Sequence, residues 1–258
     1  MVAGPGDDPG DVAVRRIVGF HGFHAMLEVR DRVDHIQSFW ERGLFYEEDL
    51  IAFLFHTAMP GMRLLDVGAH AGNHTVFFAK VCGLPVTAIE PVPYLADHLE
   101  ANLQLNGCEE RVTLHRCGAW DRRGRASIIS PATGNSGTAS LHPDQDGSVA
   151  LLTLDELVPE PVSIVKIDVE GAEAAVIAGA RRIIRSCKPI MIVEAADQGS
   201  FRRVNTMLGR QAYRPALRLC WTPTYVFLPQ PRWATLLGRL MPNSRHGSWR
   251  AEGHDWIV

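Results

Sequence analysis

The sequence predicts an α/β fold in which a doubly wound, mostly parallel β-sheet carries helices on both faces. From residue 63 onward, short apolar runs typical of buried strands alternate with amphipathic segments of helical periodicity. This alternation favours parallel pairing, because a helix that crosses the sheet returns the chain to the edge where the strand began. The composition is that of an ordinary globular protein, since 46% of the residues are apolar and 21% are charged.

Composition divides the chain into three parts. Residues 1–60 form an N-terminal segment, in which 1–12 are rich in Gly, Pro and Asp and are expected to be disordered. Residues 13–60 are expected to be mainly helical, with the clearest helix in EEDLIAFLFHTAM. Residues 61–229 are predicted to form the domain that contains the sheet, and residues 230–258 an irregular tail rich in Arg, Trp and Pro.

The predicted strands of the sheet domain are short apolar runs, and helices separate most of them. Strands are expected at residues 63–67, 86–90, 111–115, 162–168 and 189–194. Helices are expected at about 73–82, 93–106, 172–186 and 199–209. The apolar segment TYVFLP then indicates one or two last strands. In sheets of this kind ligands bind beyond the carboxyl ends of the strands, so residues at those ends are the first candidates for a site.

Charge, cysteine content and hydropathy exclude several classes of protein. The net charge of -3 lacks the basic excess of a nucleic-acid-binding protein, so no nucleic-acid partner is expected. The 5 cysteines form no CxxC pair, which argues against a disulfide framework or a cysteine zinc site and favours a reducing cytoplasm. No apolar run of about 18 residues occurs, so no membrane span is expected.

The turn after the first predicted strand, in LLDVGAHAGNHTVFFA, has the features of a ligand-binding loop. Gly68 and Gly72 allow a sharp turn and a close approach of the backbone to a ligand. The helix that starts near Asn73 points free N–H groups into the same space. Asp66 would repel a pyrophosphate and suits a cation. Glycine turns also serve as plain connectors, so this loop alone leaves both interpretations open.

Glu90 ends the second predicted strand, in VTAIEP. Its separation from Asp66 along the sequence is typical of acids that bind two ribose hydroxyls. Dinucleotide enzymes share this acid, so a nicotinamide-linked oxidoreductase is an alternative. DVGAHAG, however, lacks the GxGxxG pattern, and the chain contains no Tyr-x-x-x-Lys pair. A binding domain without catalysis is a third alternative, because a fold does not determine its chemistry.

Several segments together resemble the FkbM-type methyltransferases, a branch of the class I enzymes that depend on S-adenosylmethionine (SAM). These segments are LLDVGAHAGNHTVFFA, AIEPVP, NLQLNG, TLDEL, and VKIDVEGAEAAVIAGA followed by PIMIVE. The resemblance covers about residues 63–228. It implies a Rossmann-like sheet of seven strands with an antiparallel last hairpin, SAM at the ends of the first strands, and a sugar or polyketide hydroxyl as methyl acceptor.

The resemblance also implies which residues contact SAM. Asp66 is expected near the ammonium group of the methionine portion, and Glu90 at the ribose. Trp120 is expected either beside the adenine or partly in the core. The expected contacts come from strand ends, loops and the first turn of a helix: Asp66, Gly68, Gly72, Asn73, Thr75, Glu90, Pro91, Gly118, Ala119, Trp120 and Asn135.

Three carboxylates near the ends of the fourth and fifth predicted strands are candidates for catalysis. They are Asp168, Glu170 and Glu194. Methyl transfer to an oxygen requires the hydroxyl to be aligned and to lose its proton, which a carboxylate base can accept. Like charges placed close together need compensation. Mg²⁺ or Mn²⁺ bound by all three carboxylates would supply it, and so would an ion pair with Lys166; the sequence leaves both open.

The segment SPATGNSGTASLHPDQDG, residues 130–147, is predicted to be a long loop and a second source of catalytic groups. His142 is its only residue that titrates near neutral pH, and is a candidate general base. A surface histidine without a role is the alternative. The Trp and Arg residues of the tail suit either an acceptor lid or a homodimer contact.

These observations predict a SAM-dependent O-methyltransferase that acts on a hydroxyl of a saccharide or glycoside, either a small molecule or an oligosaccharide. Carbohydrate is favoured because the predicted site is rich in carboxylates and the tail in aromatic and Arg side chains. A hydroxyl of a polyketide, macrolide or other small molecule is the alternative acceptor.

Overall fold

The computed structural model describes residues 13–129 and 136–230 of the chain. Its strands are β1 (Val14–Phe20), β2 (Phe23–Val29), β3 (Leu64–Val67), β4 (Val86–Ile89), β5 (Val112–His115), β6 (Gly118–Ala119), β7 (Gly124–Ile129), β8 (Ser140–Pro143), β9 (Val149–Leu152), β10 (Ile164–Ile167), β11 (Ile190–Glu194), β12 (Tyr213–Leu219) and β13 (Thr224–Pro229). Its helices are α1 (His35–Glu41), α2 (Glu48–Thr57), α3 (Asn73–Val76), α4 (Pro93–Asn106), α5 (Leu154–Leu157), α6 (Glu173–Ala178), α7 (Arg181–Cys187) and α8 (Gln198–Gly209). Within the described ranges no helix is long and apolar enough to cross a membrane. The predictions for residues 1–12, for Asn135 and for the tail beyond Gln230 lie outside the described residues.

The N-terminal segment begins with an antiparallel hairpin, so the expectation that residues 13–60 are mainly helical is wrong for their first half. Strands β1 and β2 pair along their whole length and are joined at His21 and Gly22. Both turn residues have positive φ, which matches the twist of a two-residue hairpin. Only the second half of the segment is helical, in α1 and α2.

The central sheet has seven strands in the order β12-β13-β11-β10-β3-β4-β5. The five strands from β11 to β5 are parallel, and β12 and β13 add an antiparallel hairpin at one edge. The prediction of a doubly wound, mostly parallel seven-stranded sheet is therefore confirmed. The chain moves from β3 to β4 on one side and later returns to β10 on the other. The carboxyl ends of β3 and β10 thus meet at a topological switch point, where sheets of this type bind ligands.

The core has one layer on each face of this sheet, because successive strand residues point in opposite directions. Leu64 of β3 packs in the cluster that contains the N-terminal hairpin, α2 and α4. Leu65 and Val67 pack on the opposite face in the cluster that contains residues of α6, α7 and α8. All four residues of β3 are buried, as expected for a central strand covered on both faces.

Helix α4 holds the hairpin by side-chain amides that replace a third strand. Asn106 accepts a hydrogen bond from the Met26 backbone N–H at 2.9 Å and donates one to the Met26 carbonyl at 2.7 Å. One turn earlier, Asn102 accepts from the Glu28 backbone N–H at 2.8 Å. One face of α4 therefore supplies hydrogen-bond partners for backbone groups at the outer edge of β2, because residues four apart lie on the same side of a helix.

A second, four-stranded sheet has the order β6-β9-β7-β8. It includes residues of the segment 130–147, so the prediction that this segment is one long loop is wrong for residues 140–143. These residues form β8, which pairs antiparallel with β7. The alternating side chains of a short edge strand are hard to recognise in SLHP, because none of its four residues is a strong strand former.

Two predicted helices are interrupted. The helix expected at 73–82 is α-helical only to Val76 and continues as a π-helical turn over Phe77–Val81. The helix expected at 172–186 is split into α6 and α7 around Gly179. A Cβ on Gly179 would overlap the Trp120 carbonyl oxygen, so the chain approaches this carbonyl at a point where only glycine fits.

Candidate active site

A cavity of about 330 Å³ lies at the carboxyl ends of β3, β4, β10 and β11. Its volume falls in the range of ligand pockets, about 300–1,000 Å³. Glu90 and Pro91, after β4, line it on one side of β3, and Asp168, Glu170 and Glu194 line it on the other. One cavity therefore joins the two groups of residues that the sequence assigns to the cofactor and to catalysis.

Gly68 brings the ends of β3 and β10 together at this cavity. Its φ is +79°, and a Cβ at this position would overlap the Asp168 carbonyl oxygen. Its backbone N–H donates to the Ile89 carbonyl at 3.0 Å, which also ties the turn to the end of β4. Glycine is needed here both for the positive φ and for the close approach of the two backbones.

Glu90 is 4% exposed and is held by the backbone of two loops. Its Oε2 accepts from the His70 N–H at 2.8 Å, and its Oε1 accepts from the Val92 N–H at 2.9 Å. Burial raises the pKa of Glu90 to about 7, although these two hydrogen bonds act in the opposite direction. A carboxylate oxygen can accept more than one hydrogen bond, so both oxygens of Glu90 remain able to accept one from a ligand hydroxyl.

Lys166 joins Asp66 to Asp168 in the floor of the site. Its Nζ donates to Asp168 Oδ2 at 3.0 Å and lies 3.5 Å from Asp66 Oδ1. Burial lowers the pKa of the Lys166 ammonium. The carboxylates of Asp168 and Asp66 raise it by a larger amount, so the pKa is raised overall. Asp66 is fully buried, and its Oδ2 accepts from the Thr75 hydroxyl at 2.7 Å. One cation thus compensates two carboxylates.

Glu194 and Glu170 are the remaining acids of the cavity wall. Burial, together with the nearby carboxylates of Asp168 and Glu47, raises the pKa of Glu194 to about 9. Glu170 is exposed on the loop after β10, and partial burial with the charge of Asp168 raises its pKa. Glu194 therefore differs from Asp168, which has a lysine at hydrogen-bonding distance.

The prediction of Mg²⁺ or Mn²⁺ at Asp168, Glu170 and Glu194 is not supported. Among residues 13–129 and 136–230, no group of three or more His, Cys, Asp or Glu side chains is arranged to hold a metal ion. The compensating charge comes instead from Lys166, which already binds Asp168. This is the other arrangement that the sequence left open, and it follows from the alternation that places Lys166 and Asp168 on one face of the chain.

Comparison with known proteins identifies the family. The sequence model of the methyltransferase FkbM domain matches residues 66–215, which is more than half of the chain. The chain belongs to the FkbM methyltransferase family. Membership implies SAM as the methyl donor, and the predicted resemblance to this family is confirmed.

Two relatives show how far the similarity extends. The hexuronic acid methyltransferase AglP of Haloferax volcanii is 29% identical over 171 residues, which are 63% of this chain and 69% of AglP. The crystal structure of a methyltransferase FkbM from Methylobacillus flagellatus superposes with a TM-score of 0.50 at 19% identity, over 67% of this chain and 47% of that one. The chain thus matches about half the length of that solved relative, and this second likeness concerns the fold alone.

The structure of this methyltransferase brings eight of the predicted site residues into the cavity wall. They come from five strand ends and the loops that follow them: Gly68, Glu90, Pro91, Gly118, Ala119, Asp168, Glu170 and Glu194. Gly118 and Ala119 form β6 and are buried. The lining thus contains a predicted residue from each strand end that the sequence singled out.

Other predicted residues lie behind the cavity wall. Asp66 and Thr75 are buried and bind each other, and Asn73 is bound by the N-terminal segment. Trp120 is half-buried, with its backbone N–H donating to the Leu152 carbonyl at 2.8 Å. His142 is exposed on β8, where its neighbour Leu141 lines the cavity instead. Gly72 has φ +97° and caps α3, close to Leu99 of α4.

The N-terminal segment contributes to this site in a way that no sequence pattern predicted. Tyr46, His35 and Ile36 line the same cavity as Asp168 and Glu194. No local pattern points to Tyr46, which stands in a loop before the acidic first turn of α2. Its role becomes visible only from contacts between residues far apart in the chain.

Proposed function

We propose that this methyltransferase transfers the methyl group of SAM to a hydroxyl of an uncharged saccharide or glycoside. The observation that carries the proposal is a single cavity that has Glu90 at one part and Asp168 with Glu194 at another. The first arrangement suits a ribose, and the second suits a polyhydroxyl acceptor that must lose a proton. Both lie at the carboxyl ends of parallel strands, where this fold binds its ligands.

The residues of the first part fit SAM. Glu90 has two oxygens held in place by backbone N–H groups, which is a suitable arrangement for binding two adjacent hydroxyls. The acidic side chains of the cavity wall favour a sulfonium cation over a phosphate-bearing cofactor. When bound, SAM supplies an electrophilic methyl group. The protein supplies orientation of the acceptor oxygen and a place for its proton.

Glu194 is the proposed general base. Its pKa, raised to about 9 by burial and by Asp168, makes it a stronger base than an ordinary carboxylate. A nearby cationic cofactor would lower this pKa toward neutrality. Asp168, paired with Lys166, would accept a hydrogen bond from the reacting or a neighbouring hydroxyl and so align the acceptor. Exposed Glu170 would contact hydroxyls at the mouth of the cavity.

An uncharged acceptor is favoured by the charges of the wall. Four carboxylate side chains line the cavity, and no Lys or Arg among the described residues does. A carboxylate on the acceptor would find no Lys or Arg side chain in that wall, and those wall carboxylates that are ionised would repel it. The similarity to AglP, a hexuronic acid methyltransferase, supports the saccharide class. The acidic wall would then favour a neutral sugar as acceptor over a uronic acid.

Transfer of a labelled methyl group from SAM to a panel of acceptors tests the proposal. The panel contains neutral methyl glycosides, the matching glycosides of uronic acids, and macrolide hydroxyls. We expect label in the neutral glycosides and at least ten-fold less in the uronic acids, since burying an unpaired carboxylate costs on the order of several kcal/mol. Preferential labelling of uronic acids or macrolides would contradict the proposed acceptor.

Glu194→Gln is the matching variant for the proposed base. Its turnover should fall by about 10²-fold or more, while its affinity for S-adenosylhomocysteine stays unchanged. Wild-type turnover should rise with pH and level off near or below about 9, because only the deprotonated carboxylate accepts the proton. Glu160→Gln, on the exposed surface away from the cavity, is the control. Full activity of Glu194→Gln would exclude the role.

A further inference from the structure

The N-terminal segment lies outside the part of the chain that matches the FkbM family, yet it forms part of the active-site cavity. The family match begins at residue 66, whereas Tyr46, His35 and Ile36 line the wall beside the strand ends. A wall that comes from outside the shared domain is where a protein of this family can acquire its own acceptor preference.

This segment is anchored to the domain by three sets of contacts. Asn102 and Asn106 of α4 hold β2, as described above. Asn73, at the start of α3, accepts hydrogen bonds from the Trp40 indole at 3.0 Å and the Tyr46 backbone N–H at 2.9 Å. Its amide also donates to the Tyr46 carbonyl at 2.9 Å.

The third contact lies just beyond Tyr46, between the side chains of Glu47 and His74. The Glu47 side chain is 4% exposed, and its Oε2 lies 3.3 Å from His74 Nε2 of α3. Glu47 has φ +56°, an uncommon conformation for a residue with a side chain, which persists only where neighbouring contacts support it. The backbone on both sides of Tyr46 is therefore bound to the turn after β3.

The Tyr46 side chain is held in place by neighbouring rings. Its ring packs edge-on against His35 and Phe39, with centroids 5.4 and 5.2 Å apart. Its hydroxyl makes no hydrogen bond to any residue that the structure describes, although Glu194 and Asp168 are close enough to influence its ionisation. Burial, then the charge of Glu47 and of these two acids, raises the pKa of Tyr46, so the hydroxyl stays protonated and can donate.

We infer that Tyr46 orients the methyl acceptor by donating a hydrogen bond to one of its oxygens, and that it is a specificity-determining residue of this active site. The inference rests on the proposed function. The acids of the wall accept hydrogen bonds from sugar hydroxyls, whereas Tyr46 supplies a donor. Together they suit a hydroxyl of the methyl acceptor that both donates and accepts a hydrogen bond. The rigid backbone anchor keeps the entropic cost of this contact low.

Tyr46→Phe tests the inference, because it removes only the hydroxyl and leaves the backbone bonds to Asn73. With the best neutral glycoside found for the wild type, we expect kcat/KM for the acceptor to fall about five-fold or more, mainly through KM. Affinity for S-adenosylhomocysteine and Tm should be unchanged. Tyr225→Phe is the matched control, since Tyr225 packs on Phe201 and does not line the cavity.

A deoxy series of the same glycoside locates the contact. The analogue that lacks the oxygen bound by Tyr46 should react equally well with the wild type and Tyr46→Phe, whereas the other analogues should still distinguish them. If Tyr46→Phe equals the wild type on every acceptor, or loses cofactor affinity to the same extent, the inference is overturned and the proposed function stands. If the wild type transfers no methyl group to any acceptor, the proposed function fails first and the inference with it.

Discussion

At the scale of single residues, a few positions of the site follow from local chemistry and were predictable. Gly68 occupies a turn that needs both a positive φ and a close approach to Asp168, and a glycine between a buried strand and a helix signals such a turn. The position of Glu90 in the cavity wall was predictable, because the second strand of such a sheet ends beside the ligand crevice. Lys166 was left with two interpretations, since the sequence does not show how close Asp66 lies.

The raised pKa of Glu90 gives a testable pH dependence. In the proposed complex, ionised Glu90 accepts hydrogen bonds from both ribose hydroxyls, and protonation would turn one oxygen into a donor. Because its pKa is raised to about 7, affinity for S-adenosylhomocysteine should increase as the pH rises from 6 to 8. Glu90→Gln should bind about ten-fold more weakly at pH 8 and show little of this dependence. Isothermal titration calorimetry across the pH range measures both quantities.

The control for this prediction is Glu110→Gln, a change of the same chemistry at an exposed position before β5. It should reproduce the affinity and pH profile of the wild type. A Glu90→Gln protein whose affinity and pH profile also match the wild type would show that the ribose site lies elsewhere.

Lys166→Met should destabilise the fold strongly. The variant leaves buried Asp66 and half-buried Asp168 without their cation, and the expected loss is about 3–5 kcal/mol in the free energy of unfolding. Urea unfolding measures this loss. Asp66→Asn in the same background should restore part of it, because one of the two uncompensated charges is then removed. Strictly additive effects of the two changes would argue against the ion pair.

At the scale of secondary structure, the strong strands and longer helices were predictable, whereas elements stabilised by distant partners were not. The parallel strands have apolar runs because both of their faces are buried. Strand β2 is also held by Asn102 and Asn106 of α4, and its own sequence does not show these contacts. The break between α6 and α7 lies at Gly179, which approaches the carbonyl of Trp120 from another part of the chain.

Asn106→Ala should loosen the hairpin while leaving the central sheet intact. It removes both hydrogen bonds to Met26, with an expected cost of about 1–3 kcal/mol. Hydrogen exchange should show the loss of protection first at the Met26 amide and then along β2. Gln104→Ala, on the exposed side of the same helix, is the control. Unchanged exchange at Met26 would mean that α4 does not hold the strand.

At the scale of the whole molecule, the N-terminal segment and the sheet domain line one cavity. The predicted boundary between residues 60 and 61 separates them in sequence, but Asn73, His74 and α4 join them in space. The cavity consequently has the proposed cofactor-binding residues from the shared family domain and Tyr46 from the preceding segment. In the proposed function, catalysis at the switch point and acceptor choice from the segment are supplied by different stretches of the chain.

The sequence by itself determined the fold class, the family and most strand-end residues of the site, because apolar periodicity, glycine turns and acids after strands are local patterns. Only the tertiary structure decided that Lys166 compensates both Asp66 and Asp168, that residues 14–29 form a hairpin, and that Tyr46 enters the cavity. These features depend on contacts between residues distant in the chain. Their energies arise from the distance and burial of paired groups, which only the folded chain brings together.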